Sequence, residues 1–290
     1  SPRFPPPPAV QSLAVVPGFR DPVAFTFDEV ITERQPNDLA KLVLVSPRHD
    51  EIRVTWKRTR LEVRPKDGWR PNAVVQCAAY TNVDRAESEP DLAMRVNRDG
   101  AAHVAAACAS AGAVMALVST DYVFGGPRDL PWGADDLPGP MNHYALTKLE
   151  GERAVAASGA EHVIARVSWL FGAARRTFVD GMLERALQGQ RLRLVSDQFS
   201  TPTWTRSAAE ALVELLERGG RGVFHVTDGG GAASRLDFAA EALRIRGLPA
   251  DIEAVPTGTF PEPARRPPYT VLDVSATEAF LGHAMPGWRT

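Results

Sequence analysis

The sequence has almost no glycine in its first third. Before Gly100 the glycines are Gly18 and Gly68 alone. A doubly wound nucleotide-binding fold opens with a strand, a glycine-rich turn and a helix, whose backbone N–H groups receive a diphosphate. Strand-like runs are present at Leu13-Ala14-Val15-Val16 and Lys41-Leu42-Val43-Leu44-Val45, but neither leads into such a turn. Eleven of the 24 prolines fall between Pro2 and Pro71, which disfavours long helices there. No pyrophosphate cradle can be placed in residues 1–69.

Cysteine is scarce as well. Cys77 and Cys108 lack metal-ligand spacing, and their alanine and valine neighbours predict buried packing in a reducing compartment. No apolar run approaches the roughly 20 residues of a membrane-spanning helix. The opening Ser-Pro-Arg-Phe and Pro5-Pro6-Pro7-Pro8 match neither a signal nor a transit peptide, so the cytoplasm is the expected location. Charge is balanced, with 33 Lys+Arg against 35 Asp+Glu and a formal net charge of −2. The densest basic run, Arg53 to Arg70, is broken by Glu62 and Asp67. A nucleic-acid partner is not expected.

What is present is an alternation. Strand-like Ala73–Cys77, helical Leu92–Ala111, strand-like Val114–Val118, helical Tyr144–Ala157 and strand-like Val163–Val167 follow one another. This rhythm predicts an α/β fold, a Rossmann-like doubly wound parallel sheet with helices on both faces. Helices are then expected over 177–188, 207–218 and 234–246, with strands over 192–195 and 222–226. The division read from this is a nucleotide-binding domain over 1–172, atypical in 1–69, and a smaller, interleaved substrate lobe over 173–290.

Tyr144 and Lys148 lie four residues apart at the start of a predicted helix and share one face. An ammonium beside a phenol favours the phenolate, so the pair can move a proton to or from a carbonyl oxygen. Tyr-x-x-x-Lys also occurs by chance. Ser119-Thr120-Asp121-Tyr122 directly follows a strand, at the end where open parallel sheets bind ligands. Its hydroxyls can bond a substrate carbonyl, or simply cap the turn before Gly125-Gly126-Pro127. Cys77-Ala78-Ala79-Tyr80-Thr81 follows the preceding strand with side chains small enough for a cofactor to approach. Asn97 can bridge backbone groups nearby, or be a surface residue.

These blocks have a family resemblance. Val75 to Glu87, Ser119-Thr120-Asp121-Tyr122-Val123-Phe124, Tyr144 to Glu152, Arg166 to Gly172, Asp197 to Thr203 and Pro263 to Pro267 resemble, in order, the dTDP-4-dehydrorhamnose reductase family of extended short-chain dehydrogenases. The likeness covers residues 69–290. It implies NADPH- or NADH-dependent reduction of the 4-keto group of a dTDP-4-dehydro-6-deoxysugar, giving dTDP-L-rhamnose. Tyr144 would then donate the proton, Lys148 would also touch the nicotinamide ribose, and Thr120 would complete the catalytic set. Ala78, Ala79, Tyr80, Thr81 and Asn97 would line the cofactor together with Tyr144 and Lys148, and Thr120, Asp121, Tyr122 and Trp169 would meet the sugar nucleotide. Homodimers are common in the family and some members bind magnesium, for which no residue is assigned here. Without the glycine turn, the alternative is a non-catalytic binding protein similar to the regulatory beta subunit of methionine adenosyltransferase.

Overall fold

A computed structural model describes residues 73–172 and 177–289 in full, and the backbone of five strands before them. Those strands are β1 (Val10–Ala14), β2 (Val23–Phe27), β3 (Val43–Ser46), β4 (Ile52–Lys57) and β5 (Arg60–Pro65). Four of them form an antiparallel sheet in the order β1-β2-β5-β4. The two strand-like runs of the sequence overlap β1 and β3, while Pro5–Pro8 lies outside the described residues.

Two compact units emerge, Ser1–Val118 with Thr147–Ile164, and Ser119–Leu146 with Ala165–Thr290. The first is built on β6 (Ala73–Gln76), β7 (Val114–Thr120) and β8 (His162–Val167), with β7 in the middle. β6 and β7 run parallel, Ala73 opposite Val114 and Gln76 opposite Leu117. β3 occupies the other side of β6 and runs antiparallel, Ser46 opposite Ala73. The alternation of strands and helices thus yields the Rossmann-like α/β architecture that the sequence predicts, with one reversed strand. Met115, Ala116 and Leu117 of β7 and Val163 and Ile164 of β8 are buried, as continuous apolar strands covered on both faces must be. Truncating Leu117 to alanine would cost about 2–5 kcal/mol.

The expected helix over 92–111 is interrupted. α1 (Arg85–Ser88) and α2 (Pro90–Met94) lead into a π-helical turn at Arg95–Asp99, where Gly100 N donates to Arg95 O, and α3 (Gly100–Ala111) follows. α3 ends on Gly112, whose φ of 66° is a left-handed cap that costs glycine nothing. α4 (His143–Ala156) joins β7 to β8. A Cβ at Gly151 of α4 would collide with the Asn97 carbonyl oxygen, so only glycine lets this helix approach the π turn.

In the second unit the last residues of β8 pair with β13 (Gly222–His225), and β9 (Leu170–Phe171) pairs in parallel with β12 (Thr203–Trp204). β10 (Leu192–Val195) pairs in parallel with β15 (Ile252–Val255), and β11 (Phe199–Ser200) antiparallel with β14 (Ala233–Ser234). The helices are α5 (Phe178–Leu187), α6 (Thr205–Glu217), α7 (Arg235–Arg246) and α8 (Ser275–Leu281). α5 and α7 each start with a capping box, Thr177 with Asp180 and Ser234 with Asp237, which satisfies otherwise orphaned N–H groups. α7 closes on Gly247, with φ 61°. Among the described residues no helix is long and apolar enough to cross a membrane.

One packing expectation fails. Cys108 is buried, but Cys77 is exposed, because it sits one residue past the end of β6 rather than within it.

Candidate active site

In the first unit, the loop after β6 is held by a single amide. Asn97 Oδ1 accepts from Tyr80 N at 2.8 Å, and Asn97 Nδ2 donates to Tyr80 O at 3.1 Å and to Thr147 Oγ1 at 2.8 Å. Asn97 is 2% exposed, so the reading of a plain surface residue is excluded. The bulge of the π turn brings the amide to this position, a common use of such turns at functional sites. Ala78, Ala79 and Tyr80 are half-buried and Thr81 is exposed. The Tyr80 hydroxyl donates to Glu89 Oε2 at 2.6 Å.

Next to Thr147, Lys148 is 3% exposed, and its Nζ donates to Val118 O at 2.7 Å, at the carboxyl end of β7. Burial lowers its pKa to about 8, against the opposing pull of Glu152 and Cys77. The Cys77 thiol is solvent-accessible yet crowded by protein, and this desolvation raises its pKa while the Lys148 ammonium lowers it.

In the second unit, β7 delivers Thr120, Asp121 and Tyr122. Thr120 Oγ1 accepts from Tyr122 N at 3.2 Å and donates to Asp121 Oδ1 at 3.1 Å. Ser200 Oγ and Thr270 Oγ1 both donate to Asp121 Oδ2, at 2.9 and 2.5 Å. Burial raises the Asp121 pKa, and these three hydroxyls counteract it. Tyr144 is hydrogen-bonded to Thr120, and its ring meets that of Tyr122 edge to face at 6.2 Å. The phenol of Tyr144 departs from the sequence argument: burial raises its pKa, the Thr120 bond lowers it, and Asp121 and Tyr122 raise it further. Desolvation penalises the phenolate here more than its neighbours support it, so the group is a protonated acid at neutral pH.

Trp169 has a left-handed φ of 37°, rare for a bulky residue and costly to hold. The guanidinium of Arg235 lies 3.7 Å from its ring centroid and 5.3 Å from that of Phe178. Arg235 also hydrogen-bonds Tyr122. Sequence reasoning missed Arg235 and Thr270, and carried Ser200 only as part of the family-like block Asp197 to Thr203. The capping box at Ser234 and Asp237 signals that Arg235 opens a helix, but nothing signals its stack on Trp169. Thr270 meets Asp121 across 149 residues of chain, a pairing that no local pattern carries.

One helix therefore carries Tyr144 and, a turn later, Lys148, and a hydroxyl-rich strand end supplies the partner of the phenol. That arrangement on a Rossmann-like sheet defines a short-chain-dehydrogenase-type oxidoreductase. The chain belongs to the RmlD substrate binding domain family, whose model matches residues 49–290, beginning earlier than the likeness read from 69 onward. It is 39% identical over 227 residues to dTDP-4-dehydrorhamnose reductase of Streptomyces griseus, covering 76% of this chain and 74% of that protein. The Escherichia coli K12 protein of the same name is 35% identical over 231 residues, covering 76% and 77%. Among solved structures, the Bacillus anthracis dTDP-4-dehydrorhamnose reductase in complex with NADP matches with a TM-score of 0.73 and 32% identity, over 76% of this chain and 78% of that one. The Clostridium acetobutylicum reductase matches with a TM-score of 0.72 and 36% identity, over 76% and 78%. These names favour the reductase over a regulatory binding subunit.

The residues present fit one half of a nicotinamide dinucleotide. Lys148 is a buried donor beside the small residues that end β6, which suits a ribose. For the diphosphate, no glycine-rich turn follows a strand-like run in residues 1–69, and the strand beside β6 is reversed. Among the described residues no group of three or more His, Cys, Asp or Glu could hold a metal ion.

Proposed function

We propose that the chain reduces the 4-keto group of a dTDP-4-dehydro-6-deoxysugar, dTDP-4-dehydrorhamnose to dTDP-L-rhamnose, with NADPH or NADH. The observation that carries this reading is the Tyr144–Thr120 hydrogen bond at the end of β7, on the helix that also bears buried Lys148. A bound nicotinamide supplies the hydride. Tyr144 stays protonated because burial raises its pKa, and it gives that proton to the sugar oxygen as negative charge develops there. Thr120 orients the phenol, and Asp121, tied to Ser200 and Thr270, holds the Thr120 loop in place. Tyr122 and Trp169 face the sugar nucleotide. Lys148, anchored on Val118 O, keeps further donors for ribose hydroxyls, and Asn97 fixes the strand-end residues Ala78 to Thr81 along the cofactor. The family resemblance brings with it a cytoplasmic homodimer, which light scattering of the purified protein tests for its second part.

The deciding experiment follows NADPH and NADH oxidation at 340 nm with dTDP-4-dehydrorhamnose. Tyr144→Phe should lower kcat by roughly 100- to 10,000-fold while cofactor affinity holds. Absence of turnover by the parent chain with either cofactor, or full turnover by the variant, would overturn the assignment.

A further inference from the structure

Asp121 is a buried carboxyl whose hydrogen-bond partners are all hydroxyls. Thr120 Oγ1 lies on Oδ1 at 3.1 Å, and Ser200 Oγ and Thr270 Oγ1 lie on Oδ2 at 2.9 and 2.5 Å. All four residues are buried. Among the described residues no backbone N–H and no cationic side chain hydrogen-bonds either carboxyl oxygen. The charged and titratable groups that face it are Arg235, Tyr122 and Tyr144. An N–H donor can only give, and so fixes a carboxyl in its charged state, whereas a hydroxyl can give a hydrogen bond or take one. Both hydroxyls on Oδ2 have a second acceptor to turn to. Ser200 Oγ lies 3.5 Å from Thr270 O, and Thr270 Oγ1 lies 3.5 Å from Phe199 O. The cage therefore accommodates Asp121 with or without a proton, and no buried group loses its partner in either state. Burial favours the proton-bearing state, and the three hydroxyls and Arg235 oppose it.

Thr120 joins this carboxyl to the phenol. Its hydroxyl meets Asp121 on one side and Tyr144 on the other, and it also accepts from Tyr122 N at 3.2 Å. That N–H bond holds the oxygen in place while its single hydrogen can face either neighbour. We propose that Asp121 stores a proton and passes it through Thr120 to Tyr144 as the sugar is reduced. The proposal rests on the reductase reading for the final acceptor, but not for the stored proton. In the loaded state Asp121 O–H donates to Thr120 Oγ1, Thr120 O–H donates to the Tyr144 oxygen, and Tyr144 O–H faces the carbonyl oxygen of the sugar. As negative charge develops on that oxygen, three O–H bonds break and three form. Tyr144 gives its proton to the sugar and takes that of Thr120, and Thr120 takes that of Asp121. Phenol and threonine end as they began, and Asp121 is left as a carboxylate with three hydroxyl donors. No phenolate then remains in a place where burial penalises it. Tyr144 is only half-buried, so the relay opens at the phenol, and water restores the proton by the reverse shifts once product has left.

The test has two readouts, both on the full chain. The first needs no turnover. The infrared difference between the parent and Asp121→Asn at neutral pH should show the C=O stretch of one carboxylic acid. Thr270→Val removes one donor to the carboxylate and should keep that band to a higher pH than the parent does. The second readout is single-turnover reduction of dTDP-4-dehydrorhamnose by NADPH. Asp121→Asn should slow the chemical step by roughly 100-fold with NADPH affinity unchanged, and Thr270→Val should carry the alkaline limb of the rate to higher pH. A role in holding the loop alone would lower both rates and leave the limb where it was. If Asp121→Asn does not fold, the band is read from the parent against Thr270→Val across the same pH range. No acid band in the parent at neutral pH, or an alkaline limb that Thr270→Val leaves in place, overturns the proposal. An acid band in a parent without turnover would sink the reductase reading and leave the stored proton standing.

Discussion

Lys148 should cost the fold stability below pH 8, and its replacement should return it. The side chain is 3% exposed, and burial brings its pKa from 10.5 to about 8. That gap is worth about 3 kcal/mol at ~1.4 kcal/mol per tenfold change in proton affinity. Between pH 8 and 10.5 the unfolded chain holds the Lys148 proton and the folded chain does not, so stability rises with pH across this window. Below pH 8 both states are protonated and the full penalty applies. Lys148→Met keeps the unbranched stem and removes the charge. Methionine also leaves Val118 O without its donor, a loss of about 1–3 kcal/mol that is the same at every pH. The pH-dependent part is the reading: relative to its parent, the variant should gain about 3 kcal/mol on going from pH 10.5 to pH 7, a relative Tm shift of roughly 5–10 °C. The assay is thermal unfolding by circular dichroism from pH 6.5 to 10.5, with NADPH oxidation measured alongside. A Tm gap between variant and parent that ignores pH would refute the account of Lys148 as a buried charge.

Two further outcomes follow from the same geometry. Asp121→Ala should destabilise the chain by about 2–4 kcal/mol, because the Ser200 and Thr270 hydroxyls lose their shared buried acceptor, and denaturant titration reads the loss directly. Gly151→Ala should cost about 1–3 kcal/mol by forcing α4 away from the Asn97 carbonyl oxygen. The same shift should speed hydrogen exchange at Tyr80 N, which Asn97 holds, and unaltered exchange there would count against that link.

The sequence made the chain's local chemistry legible and left its long-range chemistry hidden. The strands at 73–76 and 114–120 and the helix carrying Tyr144 and Lys148 follow from apolar runs and helical spacing, which are local signals. The π turn at Arg95–Asp99 was not legible, since one extra residue in a turn leaves the apolar pattern almost unchanged. Asn97 was legible as a polar residue in a helix, but its three bonds were not, because they reach 17 and 50 residues along the chain. The shift of Tyr144 was misjudged for a related reason. Spacing shows the ammonium four residues away, whereas burial is a property of the assembled fold, and desolvation is the larger influence.

The reversed direction of β3 bears on the missing glycine turn. In an open parallel sheet, ligands meet the carboxyl ends of the strands, here Cys77 after β6 and Thr120 at the end of β7. A parallel neighbour of β6 would end on that edge and could pass straight into a turn and a helix N-terminus aimed at a diphosphate. β3 instead begins there, with Val43 opposite Gln76, and its carboxyl end lies at the opposite edge beside Ala73. The absence of glycine after Val45 and the antiparallel pairing are two faces of one fact: this strand is not the opening strand of a dinucleotide fold. Under the proposed function the cofactor is held from its nicotinamide end, by Lys148 with Ala78 to Thr81, and Asn97 fixes the loop that carries them.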